Sequence, residues 1–155
     1  MCDCAKIKPL RYDGRKLVWK NKLFLKGKAI QFMHLPLNMK GVVQGMWTKI
    51  KLSKADLPIR DFLMLAYDPS PWVSEIYMSV TKRIPKANIV KLSGTFIAKV
   101  FDGPFNSPPK WVKEFDAYLA DKKLKALKYY FYFTMCPECI KKTGHNYCVV
   151  FAQVK

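Results

Sequence analysis

The chain has 155 residues, half of them hydrophobic and 14% aromatic, which is enough apolar surface for one packed domain or two small halves sharing a core and excludes global disorder. No run approaches the roughly 18 apolar residues of a spanning helix. The start Met1-Cys2-Asp3-Cys4-Ala5-Lys6 lacks the apolar stretch of a secretory signal, so the sequence reads as soluble and cytoplasmic, with no membrane partner. The net charge of +17 arises from 28 basic residues, but the arginines are only Arg11, Arg15, Arg60 and Arg83. The lysines are scattered without a compact basic run, which favours a solvated lysine face over a nucleic-acid surface.

Residues 1–21 read as an irregular basic arm. After it, one pattern occurs twice. Ile30 and Phe32 alternate with Gln31, the period of a half-buried strand, and the strand runs into His34-Leu35-Pro36 and Asn38. Val43, Met46, Trp47 and Ile50 then fall at i, i+3, i+4 and i+7, one apolar stripe of a helix. An apolar strand, Asp61 to Leu65, closes at Tyr67-Asp68-Pro69, and Trp72-Val73-Ser74-Glu75-Ile76-Tyr77-Met78 reads as a further strand.

The second copy opens with Ala98 and Val100 alternating with Lys99, and ends at Gly103-Pro104 and Asn106. Pro108 and Pro109 stand where a helix begins. Trp111, Phe115, Tyr118 and Leu119 form its stripe, and Tyr129-Tyr130-Phe131-Tyr132-Phe133 is the next strand. Pro36 and Pro104 differ by 68 positions, as do Asn38 and Asn106, Pro69 and Pro137, and Trp47 and Phe115. The final strands match at an offset of 73, Ile76 on Val149, which places Glu75 opposite Cys148 and gives the second copy five extra residues around Cys139 to His145. The expected fold is therefore α+β: two β-α-β-β repeats, residues 22–84 and 88–155, related by a pseudo-twofold axis, with an antiparallel sheet carrying two helices on one face.

The segment Leu92-Ser93-Gly94-Thr95-Phe96-Ile97-Ala98-Lys99-Val100-Phe101-Asp102-Gly103-Pro104-Phe105, followed by a helix with Trp111, resembles the second-half opening of GyrI-like small-molecule-binding domains, and Tyr67-Asp68-Pro69 resembles their strand ending. The resemblance covers residues 28–155. It implies a stand-alone binder of flat or cationic molecules in a groove between the repeats, or a small hydrolase acting on electrophilic compounds. Some members bind a protein partner. His34-Leu35-Pro36 departs from the usual Gly-Pro turn, and the last strand, Tyr147 to Val154, has no acidic residue.

Glu75 is the acidic residue that stands inside a predicted strand, sharing a face with Val73, Tyr77 and Ser79. A carboxylate beside a phenol suits a cationic ligand, or acid–base work on an electrophile. The bland alternative is an edge-strand carboxylate paired with a lysine. Trp72, Phe101, Trp111, Tyr130 and Tyr132 are the aromatic residues expected to line a ligand groove with Glu75 and Tyr77. In the aromatic run, Tyr129, Phe131 and Phe133 should point one way and Tyr130 and Tyr132 the other. His34 reads as structural. The five cysteines, an odd number without a secretory signal, argue against a disulfide framework. Cys136, Cys139, His145 and Cys148 have the spacing C-x2-C-x5-H-x2-C, which suits zinc, a redox pair at Cys136 and Cys139, or plain reduced thiols; no other cofactor is indicated.

Overall fold

The computed structural model describes residues 4–33 and 35–154, so His34 lies outside the described residues. The chain divides into two compact units, one of residues 21–92, the other joining the N-terminal segment up to Lys20 with the chain from Ser93 onward. It is α+β, and the strand pairs within each unit are antiparallel.

In the first unit, the later part of β1 (Lys16–Phe32) is followed by the short β2 (Leu35–Pro36), helix α1 (Met39–Leu52), β3 (Met64–Ser70) and β4 (Val73–Ser79). Strand β4 lies between β1 and β3, and β2 pairs with the end of β1. In the second unit, the later part of β5 (Ile89–Asp102), α2 (Pro108–Asp121), β6 (Ala126–Phe133), a short α3 (Pro137–Thr143) and β7 (Tyr147–Val154) follow, with β7 between β5 and β6. In both units the last strand is inserted between the first and the second. This shared order is the structural form of the β-α-β-β repeat.

Each helix is held by its apolar stripe. In α1, Met46 and Ile50 are buried against Leu25, Ala29, Ile76 and Met78. In α2, Trp111, Phe115 and Leu119 are buried against Ile97, Phe101, Cys148, Val150 and Ala152. Met46 therefore matches Phe115, and Ile50 matches Leu119, at an offset of 69. The proline letters put the phase one residue out. Pro36 is in β2 whereas Pro104 is in the turn after β5, and Pro69 is in β3 whereas Pro137 opens α3. Asn38 precedes α1, but its Oδ1 accepts the Ile30 N–H at 2.7 Å instead of capping the helix, while Ser107 rather than Asn106 precedes α2.

The last strands need a second correction. Ile76 and Met78 face α1, so Glu75 and Tyr77 point to the opposite face of β4. Cys148 and Val150 face α2. Glu75 and Cys148 thus occupy opposite faces of equivalent strands, because an odd shift in a period of two reverses every side chain. The insertion is also longer than five residues: β3 and β4 are joined by residues 71–72, β6 and β7 by residues 134–146.

The N-terminal arm is not irregular. It carries a helical turn (Cys4–Ile7), a 3-10 turn (Pro9–Tyr12) and the first residues of β1. Gly14 donates to the Ala98 carbonyl at 2.8 Å, and Ala98 donates to the Arg15 carbonyl at 2.8 Å. Trp19 packs on Phe96 with ring centroids 4.2 Å apart, and Tyr12 meets Phe151 edge-on. Phe115 is fully buried. Phe115→Ala is expected to lower stability by about 3–5 kcal/mol. Val18→Ala, at a residue 70% exposed, should change it by less than about 0.5 kcal/mol. Urea unfolding measures both.

Candidate functional site

Strand β4 is hydrogen-bonded on both edges, so its side chains meet neighbours from β1 and β3 in fixed register. Tyr77 lies opposite Lys26 on β1 and Leu65 on β3; Glu75 lies opposite Lys28 and Tyr67. Side chains directly across an antiparallel pair share a face. Lys26, Lys28, Leu65, Tyr67, Glu75 and Tyr77 therefore form one surface of the first unit, turned away from α1.

At its centre is a three-member polar contact. The Tyr77 hydroxyl donates to Glu75 Oε1 at 2.6 Å. Lys26 Nζ is 3.4 Å from Glu75 Oε2 and 5.7 Å above the Tyr77 ring. The Glu75 and Lys26 side chains are 16% and 22% exposed. Tyr77 itself is buried, its ring edge-on to Phe24. The pairing of Glu75 with a lysine is thus real, but on a central strand and largely covered rather than at an open edge. Both carboxylate oxygens are engaged, which fixes the orientation of the group. Trp72 stands in the two-residue turn leading into β4, half exposed, its ring against Phe32.

The aromatic residues of the second unit sort by face as their alternation requires. Tyr129, Phe131 and Phe133 pack into the core beneath α2. Tyr130 and Tyr132 lie on the other face of β6, both buried, with Tyr130 6.2 Å from Phe96 between ring centroids. Trp111 and Phe101 do not join them. They stack on each other at 5.7 Å, with 21° between planes, inside the α2 core. Trp111 is in the first turn of α2 and in phase with Phe115 and Leu119, so it is a packing residue rather than a groove wall.

The four proposed metal ligands are not gathered. Among the described residues, no three His, Cys, Asp or Glu side chains are placed to hold a metal ion. Cys136 precedes α3 and Cys139 is inside it, whereas Cys148 is fully buried in the α2 core. His145 turns instead to Asp102, with Nδ1 2.6 Å from Oδ2. The spacing was readable, but the side to which each strand residue points was not.

The sequence reading did not find Lys26 or Asp102. Lys26 becomes a partner of Glu75 only through the register of β1 against β4. Asp102 and His145 are brought together by the pairing of β5 with β7. Burial alone would raise the Asp102 carboxyl, but the His145 ring and the Asn146 N–H outweigh it and hold it below the usual aspartate value.

A duplicated β-α-β-β chain with a carboxylate, a phenol and an ammonium clustered on one sheet face is of the α+β class. A family model described as bacterial hydrolase matches residues 1–154, and the chain belongs to that family. No curated sequence matches it significantly. Among solved structures, the C-terminal domain of EcmrR is similar at a TM-score of 0.70 and 8% identity, covering 93% of this chain and 98% of that one. A hydrolase from Listeria innocua is similar at 0.66 and 12%, covering 93% and 92%. SAV2435, solved bound to tetraphenylphosphonium, is similar at 0.50 and 11%, covering 92% and 94%. These likenesses show a shared fold. No helix of the described residues is long and apolar enough to cross a membrane.

Burial pushes the Cys148 thiol well above its ordinary value. Cys148 is therefore expected to resist iodoacetamide in the folded protein and to react once it is unfolded, which mass spectrometry of the alkylated peptides reads directly.

Proposed function

We propose that the chain is a GyrI-like small-molecule hydrolase in which Glu75 and Tyr77 form the acid–base pair. The observation that carries this reading is the 2.6 Å hydrogen bond from the Tyr77 hydroxyl to Glu75 Oε1 on a largely covered sheet face. Membership of a bacterial hydrolase family supports it.

The chemistry follows from the two groups. Glu75 takes a proton from water as the water oxygen attacks an electrophilic carbon. Tyr77 gives its proton to the leaving oxygen. The hydrogen bond between the two side chains then returns the proton from Glu75 to the phenolate, which restores both groups. Lys26 holds the Glu75 carboxylate in place, with Nζ 3.4 Å from Oε2. Trp72, half exposed at the turn into β4, is the aromatic residue of the first unit that remains as a ligand contact. Trp111 and Phe101 are withdrawn from that role by their place in the α2 core.

The second reading is a binder of hydrophobic cations, favoured by the tetraphenylphosphonium held by SAV2435. In that case Glu75 would serve as counter-charge. The Lys26 ion pair weighs against it, since a cationic ligand must compete with an ammonium already in place.

Aryl epoxides offer a test substrate class, being apolar and electrophilic. Wild-type protein should open them to diols, and Glu75→Gln should lower kcat by roughly 10²–10⁴-fold with substrate affinity retained. Unchanged turnover in Glu75→Gln would overturn the hydrolase reading. No turnover by wild type, with tetraphenylphosphonium binding that weakens in Glu75→Gln, would favour the binder.

A further inference from the structure

The segment between β6 and β7 is where the repeats differ most, and it builds an acid–base pair that the Glu75 site does not use. Gly144 ends α3 in the left-handed conformation, at φ 74°, which a residue with a side chain adopts less readily. The chain turns there and carries His145 to the end of β5. Its ring nitrogen Nδ1 sits 2.6 Å from Asp102 Oδ2. Asp102 Oδ1 accepts the backbone N–H of Asn146 at 2.7 Å, and Asn146 Nδ2 donates to the Gly103 carbonyl at 2.8 Å. The His145 N–H donates to Thr143 Oγ1 at 3.1 Å. The imidazole lies parallel to the Tyr147 ring, 5.0 Å between centroids and 12° between planes.

These contacts leave the ring one orientation. In the neutral ring whose Nδ1–H donates to the carboxylate, Nε2 carries the lone pair. The His145 side chain is 51% exposed and that of Asp102 38%. A histidine that only fastened the segment would gain most by burying its ring. Here the ring is fixed by a carboxylate that is itself fixed by a backbone amide, yet half of it stays open. A pre-oriented imidazole with an accessible nitrogen is what nucleophilic attack requires.

We propose that His145, positioned by Asp102, is a second reactive centre that accepts acyl groups from activated aryl esters. Nε2 attacks the ester carbonyl, a bond forms between nitrogen and the acyl carbon, and the phenolate leaves with its electron pair. Asp102 balances the positive charge that develops on the ring. Water then attacks the acyl-imidazolium, the carbon–nitrogen bond breaks, a carboxylic acid and the free imidazole result, and the remaining proton passes to solvent, where it balances the departed phenolate. Activated aryl esters suit the site because an imidazole readily expels only good leaving groups.

The test is hydrolysis of p-nitrophenyl acetate by the full chain. The sequence holds two histidines, His34 and His145, so His34→Gln is the internal control. His145→Gln should lower the rate at least about tenfold, whereas His34→Gln should leave it unchanged. Asp102→Asn should also lower it, and Asp102→Glu should recover part of the loss, which a purely structural aspartate would not require. Independently of any variant, carbethoxylation of wild-type protein by diethyl pyrocarbonate, mapped to His145, should abolish the activity, and hydroxylamine should restore it. A wild-type rate in His145→Gln, or full activity in protein carbethoxylated at His145, would overturn the proposal.

Discussion

Each unit depends on one constraint: β4 and β7 are each paired on both edges, so neither can slip or turn. A strand held in this way has two faces with separate duties. On β4, Ile76 and Met78 close the core under α1, and Glu75 and Tyr77 are turned to the other face by the same alternation. On β7, Cys148, Val150 and Ala152 close the α2 core, and Val149 and Phe151 take the other face, both fully buried. The two central strands are built alike, and only the first places a carboxylate on the face away from its helix.

Placing Glu75 there carries a cost. A largely covered carboxylate loses hydration, and the loss must be offset by hydrogen bonds and an opposite charge. Tyr77 and Lys26 supply both. Replacing one partner leaves the others poorly satisfied, so the three residues form one unit whose members should not be read separately. In a protein of net charge +17, the ammonium that meets this carboxylate is that of Lys26 on the neighbouring strand.

Much of this was legible in the letters because the relevant periods are short. Alternation over Val73 to Ser79 placed Glu75 and Tyr77 together, and it split Tyr129 to Phe133 into its two faces. Spacing of four placed Phe115 and Leu119 on the buried face of α2. What failed was phase and partnership. The proline matches suggested offsets of 68 and 73, and a shift of one residue moved Trp47 into the place of Met46 and set Cys148 against Glu75. Trp111 looked free at a helix start, but its phase with Phe115 draws it into the core. Lys26 and Asp102 had no local signal at all, since each meets its partner through strand register across about 45 residues of chain. The C-x2-C-x5-H-x2-C spacing was present, but strand direction buries Cys148 and salt-bridge geometry takes His145 to Asp102.

The most direct test of the central claim is a double-mutant cycle in aryl-epoxide turnover with Glu75→Gln, Tyr77→Phe and the pair. If the two side chains pass one proton between them, the double variant should be little slower than the slower single variant, because removing either already breaks the relay. Losses that simply multiply in the double variant would show two independent residues and would contradict the account.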